Sequence, residues 1–384
     1  MSEKPRPASA TTTQTTNDPA TTAGHVNTRR ARNKKLARFG VLFAFLGLLL
    51  FAYFVRKAGI SQIIVGIKRL GVGFLLILGI SAIRQVVRSL AWTRCFEAPY
   101  SLRFRDAFAA RVMGDALGNI VPLASVAVSE PSKAAFVTNR VPLLASLSAL
   151  ALENIFYSLS VAIFIFSGTV ALLLAFPLKP ALRYASLATL AVTILIVPLG
   201  YFILRQQWKF LSGAMSLMQR RNIGPAWMEK TIPRARTLED RVYGFYERNS
   251  NRVLTIVALE MCFHLAGALE IYTTLWFISD IVAPTLLTAF ILESVNRVIN
   301  IVFKFIPFRL GVDEAGTGML AKALGFTQAI GAALAIVRKA RDMFWTAIGV
   351  ALMVRRGLSL KNLDKVNERE RTSVEGTIAT GKSG

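Results

Sequence analysis

Histidine and cysteine are almost missing from this sequence: 384 residues hold two of each. His25 lies in a polar tail, so a metal centre would have to be built on His264 and carboxylates alone. Glu260 and His264 stand one helical turn apart, which is half of a metal site, and no metal is expected. Cys95 and Cys262 sit in or beside apolar segments without ligand spacing and read as ordinary buried thiols. An HExxH pattern is absent, which excludes zincin chemistry. ATP-driven transport by this chain alone and Ser–His–Asp catalysis are not expected, and neither is a cofactor. Acidic residues are scarce too, 22 against 46 Lys and Arg, for a formal net charge of +24.

What is abundant is apolar. Such residues make up 53% of the chain and the mean hydropathy is +0.48, above what soluble domains carry. They come in blocks of about 20, the length a helix needs to cross a bilayer. The cations gather just outside those blocks, as the positive-inside rule describes, rather than on an amphipathic surface. No nucleic-acid partner is expected.

Residues 1–37 form a Thr-, Ala-, Pro- and Asn-rich tail with little to bury, expected to be disordered and cytoplasmic and not a signal peptide. The basic run from Arg29 to Arg38 precedes a first span over about 39–55, and "GISQIIVGIKRLG" reads as an interfacial helix on the far side. A second span, about Gly71 to Phe96, carries Arg84 and Arg88 one turn apart and returns to the cytoplasm at Arg94, Arg103 and Arg105. Residues 106–140 are broken by Pro122 and Pro131 and hold Arg111, Asp115, Asn119 and Glu130. They are too polar to face lipid, and the pattern predicts a re-entrant hairpin covered by protein or water. Spans over about 141–166 and 184–204 lead to a basic cytoplasmic loop, 205–252. A fifth span, about 253–278, leads to a second broken element over 285–325 with Pro307 and Gly311. The last span, about 326–354, closes the membrane domain (38–354), and 355–384 is a basic cytoplasmic tail.

Setting Pro122 on Pro307 places the second span on the fifth. With one residue deleted after the proline, Glu130 meets Glu314, and Ala149, Leu150 and Ala151 meet Ala333, Leu334 and Ala335. The halves, about 71–166 and 256–350, each read as span, broken hairpin, span, entered from opposite sides. That is the inverted-repeat design of many secondary transporters, whose sites lie between broken helices near the midplane. Ionisable residues in spans are costly and usually face the bundle interior. Here they are Arg84, Arg88, Glu130, Glu153, Glu260, His264, Glu270, Glu293, Arg297, Glu314, Arg338, Lys339, Arg341 and Asp342. Structural ion pairs alone account poorly for so large a set, because buried pairs return less than their desolvation costs. A wet cavity of both signs, able to take a phosphate-bearing headgroup against arginine forks, fits better.

The segments "HLAGALEIY" with Glu270, "AFILESVNR" with Glu293, "FIPFRLGVDEAG" with Pro307, Gly311 and Glu314, and "IVRKARDMF" with Arg338 and Arg341 resemble the lysylphosphatidylglycerol-synthase transmembrane, or flippase-like, family. Within it the chain is similar to the hopanoid-biosynthesis-associated HpnL subfamily. In the first half, "RSLAWTRCF" and "GDALGNIVPLASVAVSEP" resemble the family's Arg-Trp and Asn-x-x-Pro segments, the latter with Asn119 and Pro122. Phe308 stands where the family usually has Gly, and Ala127, Val128 and Ser129 replace the glycines before the first acidic residue. The resemblance, over roughly 38–354, implies the lipid-translocating part only. The aminoacyl-transferase domain of full-length synthases has no counterpart in this sequence, so aminoacyl transfer is not expected.

The sequence thus predicts an all-α, polytopic helix bundle of about six spans and two re-entrant hairpins, in a bacterial inner membrane with both termini cytoplasmic. The expected function is translocation of an anionic, isoprenoid or hopanoid-related lipid. Arg84, Arg88, Arg338 and Arg341, with Asn119, would bind the headgroup; Glu130, Glu270, Glu293 and Glu314 would orient them or carry protons. Two rivals are a membrane-embedded headgroup enzyme using a buried carboxylate as base, and a non-catalytic subunit of a lipid-biosynthesis complex bound through 205–252. Membrane lipids and lipid-biosynthesis proteins are the expected partners.

Overall fold

Apolar runs punctuated by proline and glycine have one regular solution in lipid, the helix, whose backbone hydrogen bonds close internally. The computed structural model describes residues 68, 70–120, 125–205, 210–220, 227–279, 282–303 and 311–380. Over these the regular elements are all helices: α1 (Gly73–Arg94), α2 (Phe104–Ile120), α3 (Ser125–Phe136), α4 (Leu143–Ala175), α5 (Pro180–Arg205), α6 (Phe210–Arg220), α7 (Trp227–Arg248), α8 (Ser250–Ile278), α9 (Leu286–Val302), α10 (Val312–Ala323) and α11 (Gln328–Thr380). One compact unit lies within Leu46–Met353; of a second, Met1–Phe45 with Val354–Gly384, only the C-terminal stretch of α11 is described. The expected first span, the interfacial segment, Pro122 and Pro307 lie outside the described residues.

Three described helices are long and apolar enough to cross a membrane: Gly73–Arg94, Leu143–Ala175 and Asn251–Ile278. The bundle is turned inside out relative to a water-soluble protein. Leu75, Leu174, Leu195, Leu254 and Trp276 are exposed, while Arg84, Glu153, Glu260, His264, Glu270 and Glu293 are buried. Only a lipid surround makes that distribution favourable. This is an all-α membrane bundle. Of the cysteines, Cys95 is buried, but Cys262 is exposed on the outer face of α8, where an apolar thiol can face lipid.

Helix α1 packs along α8, the hairpin helices α2 and α3 pack together, and α9 packs on α10. Small residues set the closest crossings, as is usual between membrane helices. A Cβ on Gly168 would lie 2.2 Å from the Ser294 side chain, bringing α4 onto α9, and one on Gly349 would lie 2.5 Å from the Val112 carbonyl, bringing α11 onto α2. The long helix of each half therefore crosses the first hairpin helix of the other. Gly311 adopts φ +84 at the N-cap of α10, a backbone that glycine alone adopts without strain.

The expected loop 205–252 contains α6 and α7, which pack on each other, and α7 also lies on α4. Ile232, Ala235, Val242 and Phe245 recur at helical spacing on α7 and are buried. Glu97, in the turn after α1, accepts from Arg248 Nε at 3.0 Å and Asn249 Nδ2 at 2.9 Å. The tail after the last span continues as α11 helix to Thr380.

Candidate functional site

Helix α1 carries Arg84 and Arg88 toward the bundle interior, where α8 and α9 supply their partners. Arg84 Nη1 donates to Glu270 Oε2 at 2.8 Å, and its Nη2 lies 3.5 Å from Glu293 Oε1. Arg341 of α11 also donates to Glu270, and Arg297, one turn along α9, donates to Glu293. Two carboxylates are thus shared by three guanidiniums from three helices. One turn further along α1, Arg88 donates to Glu153 of α4 at 2.6 Å, and Arg111 of α2 reaches the same oxygen at 3.0 Å.

Aromatic rings hold the guanidiniums apart. The carbons of Arg84, Arg297 and Arg88 stand 4.6, 4.9 and 5.5 Å from the centroid of Phe263, and Arg88 lies 3.9 Å from that of Tyr157. Ring quadrupoles attract each cation, offsetting part of the mutual repulsion of three like charges.

These groups open onto a cavity of about 350 Å³ between the halves, large enough for a lipid headgroup. Five cations line it (Arg84, Arg88, Lys133, Arg297 and Arg341) against three acids (Asp115, Glu130 and Asp342). Lys133 Nζ bridges Asp115 and Glu130, each at 2.8 Å, and Glu130 also accepts from Asn154 at 3.0 Å. Asp342 accepts from Arg341 at 2.7 Å. Asn119, on the same wall, donates to Thr346 Oγ1 at 3.0 Å. Each of the five cations is paired with at least one carboxylate, so the cavity presents both signs of charge, with guanidinium edges turned toward it.

Of the residues singled out in the sequence, the cavity gathers Arg84, Arg88, Asn119, Glu130 and Arg341, with Glu270 and Glu293 bound directly behind them. Glu314 and Arg338 are not among its lining residues. Glu314 pairs with Lys339, not with an arginine, and its other oxygen accepts from Gly311 N at 2.8 Å. Arg338 donates to Asp313 at 3.1 Å and to Thr317 at 2.6 Å. One feature is shared by the aligned positions. Glu130 of α3 takes Asn154 of α4, and Glu314 of α10 takes Lys339 of α11, so each short hairpin helix is tied to the following long one.

Phe263, Tyr157 and Lys133 escaped the sequence reading, because an aromatic or a lysine at helical spacing carries no mark of facing a cavity. "GTIATGKS", Gly376 to Ser383, has the spacing of a phosphate-binding loop. That motif requires a strand, a loop and then a helix; Gly376–Thr380 continue α11, and Gly381, Lys382 and Ser383 lie outside the described residues. His264 is fully buried, with Nε2 3.0 Å from Ser160 Oγ. Ser160 donates its own proton to the Tyr157 carbonyl, so it accepts from His264. Among the described residues no cluster of His, Cys, Asp or Glu could hold a metal ion.

The sequence matches the family described as lysylphosphatidylglycerol synthase TM region over residues 38–349. The chain belongs to this family. No curated protein and no solved structure matches it. Membership and the inverted polarity of the bundle together make it a multi-pass membrane protein involved in lipid handling.

Proposed function

We propose that this protein moves an anionic lipid, or an isoprenoid- or hopanoid-related lipid precursor, between the leaflets of a bacterial inner membrane, with both termini in the cytoplasm. The observation that carries the reading is the buried arginine cluster. Arg84, Arg88, Arg297 and Arg341 converge on one cavity between the halves, while Glu270, Glu293 and Glu153 bind them from behind. Guanidiniums held in this way keep donors free for a phosphate. Flippase activity agrees with the span–hairpin–span repeat, in which the site lies between two mobile halves.

Reconstitution tests this. The full chain in liposomes with fluorescent phosphatidylglycerol or a polyprenyl phosphate in the inner leaflet should expose the probe to a membrane-impermeant quencher. Arg84→Gln should slow that exposure by tenfold or more. Exposure of both probes at the protein-free rate by the wild type would reject translocation.

A further inference from the structure

The headgroup reading leaves one group without a task. Glu260 of α8 is 0% exposed, and neither of its oxygens has a hydrogen-bond partner. Its nearest cation is Arg88, whose Nε stands 3.9 Å away. A buried carboxylate with no donor is costly by several kcal/mol, yet a second carboxylate adjoins it. Glu153 gives Oε1 to Arg88 and Arg111, its Oε2 is buried without a partner, and its carboxyl lies within hydrogen-bonding reach of Glu260. Three orphaned oxygens therefore sit on two touching acids. One proton changes this. Carried by Glu260, it would donate to the Glu153 carboxylate and reduce the number of unpaired oxygens. Like charges in contact in a low dielectric do not both ionise.

We propose that Glu153 and Glu260 share a single proton and form a proton-binding site linked to anion occupancy of the cavity through Arg88. The linkage rests on the headgroup reading above; the proton site does not. With the proton bound, the pair carries one negative charge against Arg88 and Arg111, leaving one positive charge toward the cavity. Loss of the proton cancels it and turns Arg88 toward Glu260. An anion at Arg88 therefore favours the protonated pair, and by reciprocity the protonated pair favours the anion. The groups facing the site are Arg88 and Cys95 on and after α1, Arg111 on α2, and Tyr157 on α4. Glu130 of α3 faces Arg88, and Arg297 and Glu293 of α9 face His264, one turn along α8 from Glu260. None of them offers Glu260 a hydrogen bond.

The experiment uses the full chain in detergent, the Glu260→Gln variant, and dihexanoyl-phosphatidylglycerol as the probe. Glutamine keeps the shape and neutrality of the protonated acid, so the variant should fold. Infrared spectra at neutral pH should show the carbonyl stretch of a protonated carboxyl in the wild type and not in the variant. Calorimetry in two buffers of different ionisation enthalpy should show proton uptake on probe binding by the wild type alone. Wild-type affinity should fall as pH rises, by up to about tenfold per unit, while the variant stays flat. Absence of the carboxyl band overturns the proton site. A band with identical pH profiles in both proteins overturns the linkage. A band with no probe binding by either protein rejects the headgroup reading and leaves the proton site standing.

Discussion

Gly267 of α8 lies directly under the Glu293 carboxylate of α9: a Cβ at Gly267 would be 2.4 Å from Glu293 Oε1 and 2.9 Å from Cδ. The absence of a side chain there is what lets Glu293 lie across α8 and meet Arg84 and Arg297. Small residues in membrane helices usually serve close helix approach, and here the close approach belongs to a charge.

Gly267→Ala therefore acts on the site before it acts on the fold. The added methyl must push aside a carboxylate that Arg297, Arg84 and Asn296 hold, the last at 3.4 Å. Partial loss of a buried, hydrogen-bonded charge pair costs about 3 kcal/mol or somewhat less. Expression and detergent stability should fall modestly, and lipid movement by tenfold or more. Wild-type transport by a well-folded Gly267→Ala protein would show that Glu293 need not hold its position.

Phe263 offers a test that leaves every formal charge in place. Phe263→Leu keeps an apolar side chain but removes the ring near three guanidiniums. Each cation–ring contact contributes about 0.5–2 kcal/mol, so the arginines should spread or draw closer to their carboxylates. Affinity for a short-chain anionic lipid should drop about tenfold or more, with steeper salt dependence than in the wild type. Unchanged affinity would mean that the carboxylates alone position the arginines.

Much of this was legible in the sequence, for identifiable reasons. Apolar blocks of bilayer length place α1, α5 and α8 close to their observed bounds, because in lipid the period of hydrophobicity and the need for internal hydrogen bonds agree, whereas α4 runs on to Ala175, past the expected end at 166. The polar stretch with Asp115, Asn119 and Glu130 marked the hairpin, because no lipid-facing helix carries such residues. Partner choice was harder to read. Glu314 could equally have met Arg338, Lys339 or Arg341, since all three lie within one turn of α11 and a rotation of that helix by one residue exchanges them. The helices in 205–252 were missed for another reason: their cations dominate the composition and mask the spacing from Ile232 to Phe245.

The pairing of Glu314 with Lys339 carries its own consequence. Glu314 is about a quarter exposed (27%), whereas the Lys339 side chain is 4% exposed. Glu314→Gln strands a buried ammonium and should destabilise the protein by up to about 3–5 kcal/mol. Adding Lys339→Met removes the stranded charge and should restore most of that loss, a coupling read from a double-mutant cycle of thermal stability. Because neither residue lines the cavity, the double variant should move lipid at the wild-type rate. A stable but inactive double variant would assign the pair to transport.

Topology decides whether the two halves are antiparallel. Helix α4 has 33 residues, about 50 Å at 1.5 Å per residue, more than the bilayer core of about 30 Å, so the turn at 176–179 must emerge from the membrane. Close to that turn the cations are Lys179 and Arg183, and the turn after α8, from Ser279 to Thr285, has none. The segment 205–252 is crowded with arginine and lysine. On the proposed orientation, cations held back from translocation keep the last of these in the cytoplasm and both turns lie outside it. Alkaline phosphatase fused after Lys179 or Ser279 should be active, and a fluorescent protein fused after Arg220 should fold and fluoresce. Helix α2 would then be approached from the cytoplasm and α9 from the opposite side, as an inverted repeat requires. An inactive phosphatase at Ser279, with a fluorescent reporter there instead, would make the halves parallel. The cavity would still exist, but alternating access by two mirrored hairpins would lose its structural basis.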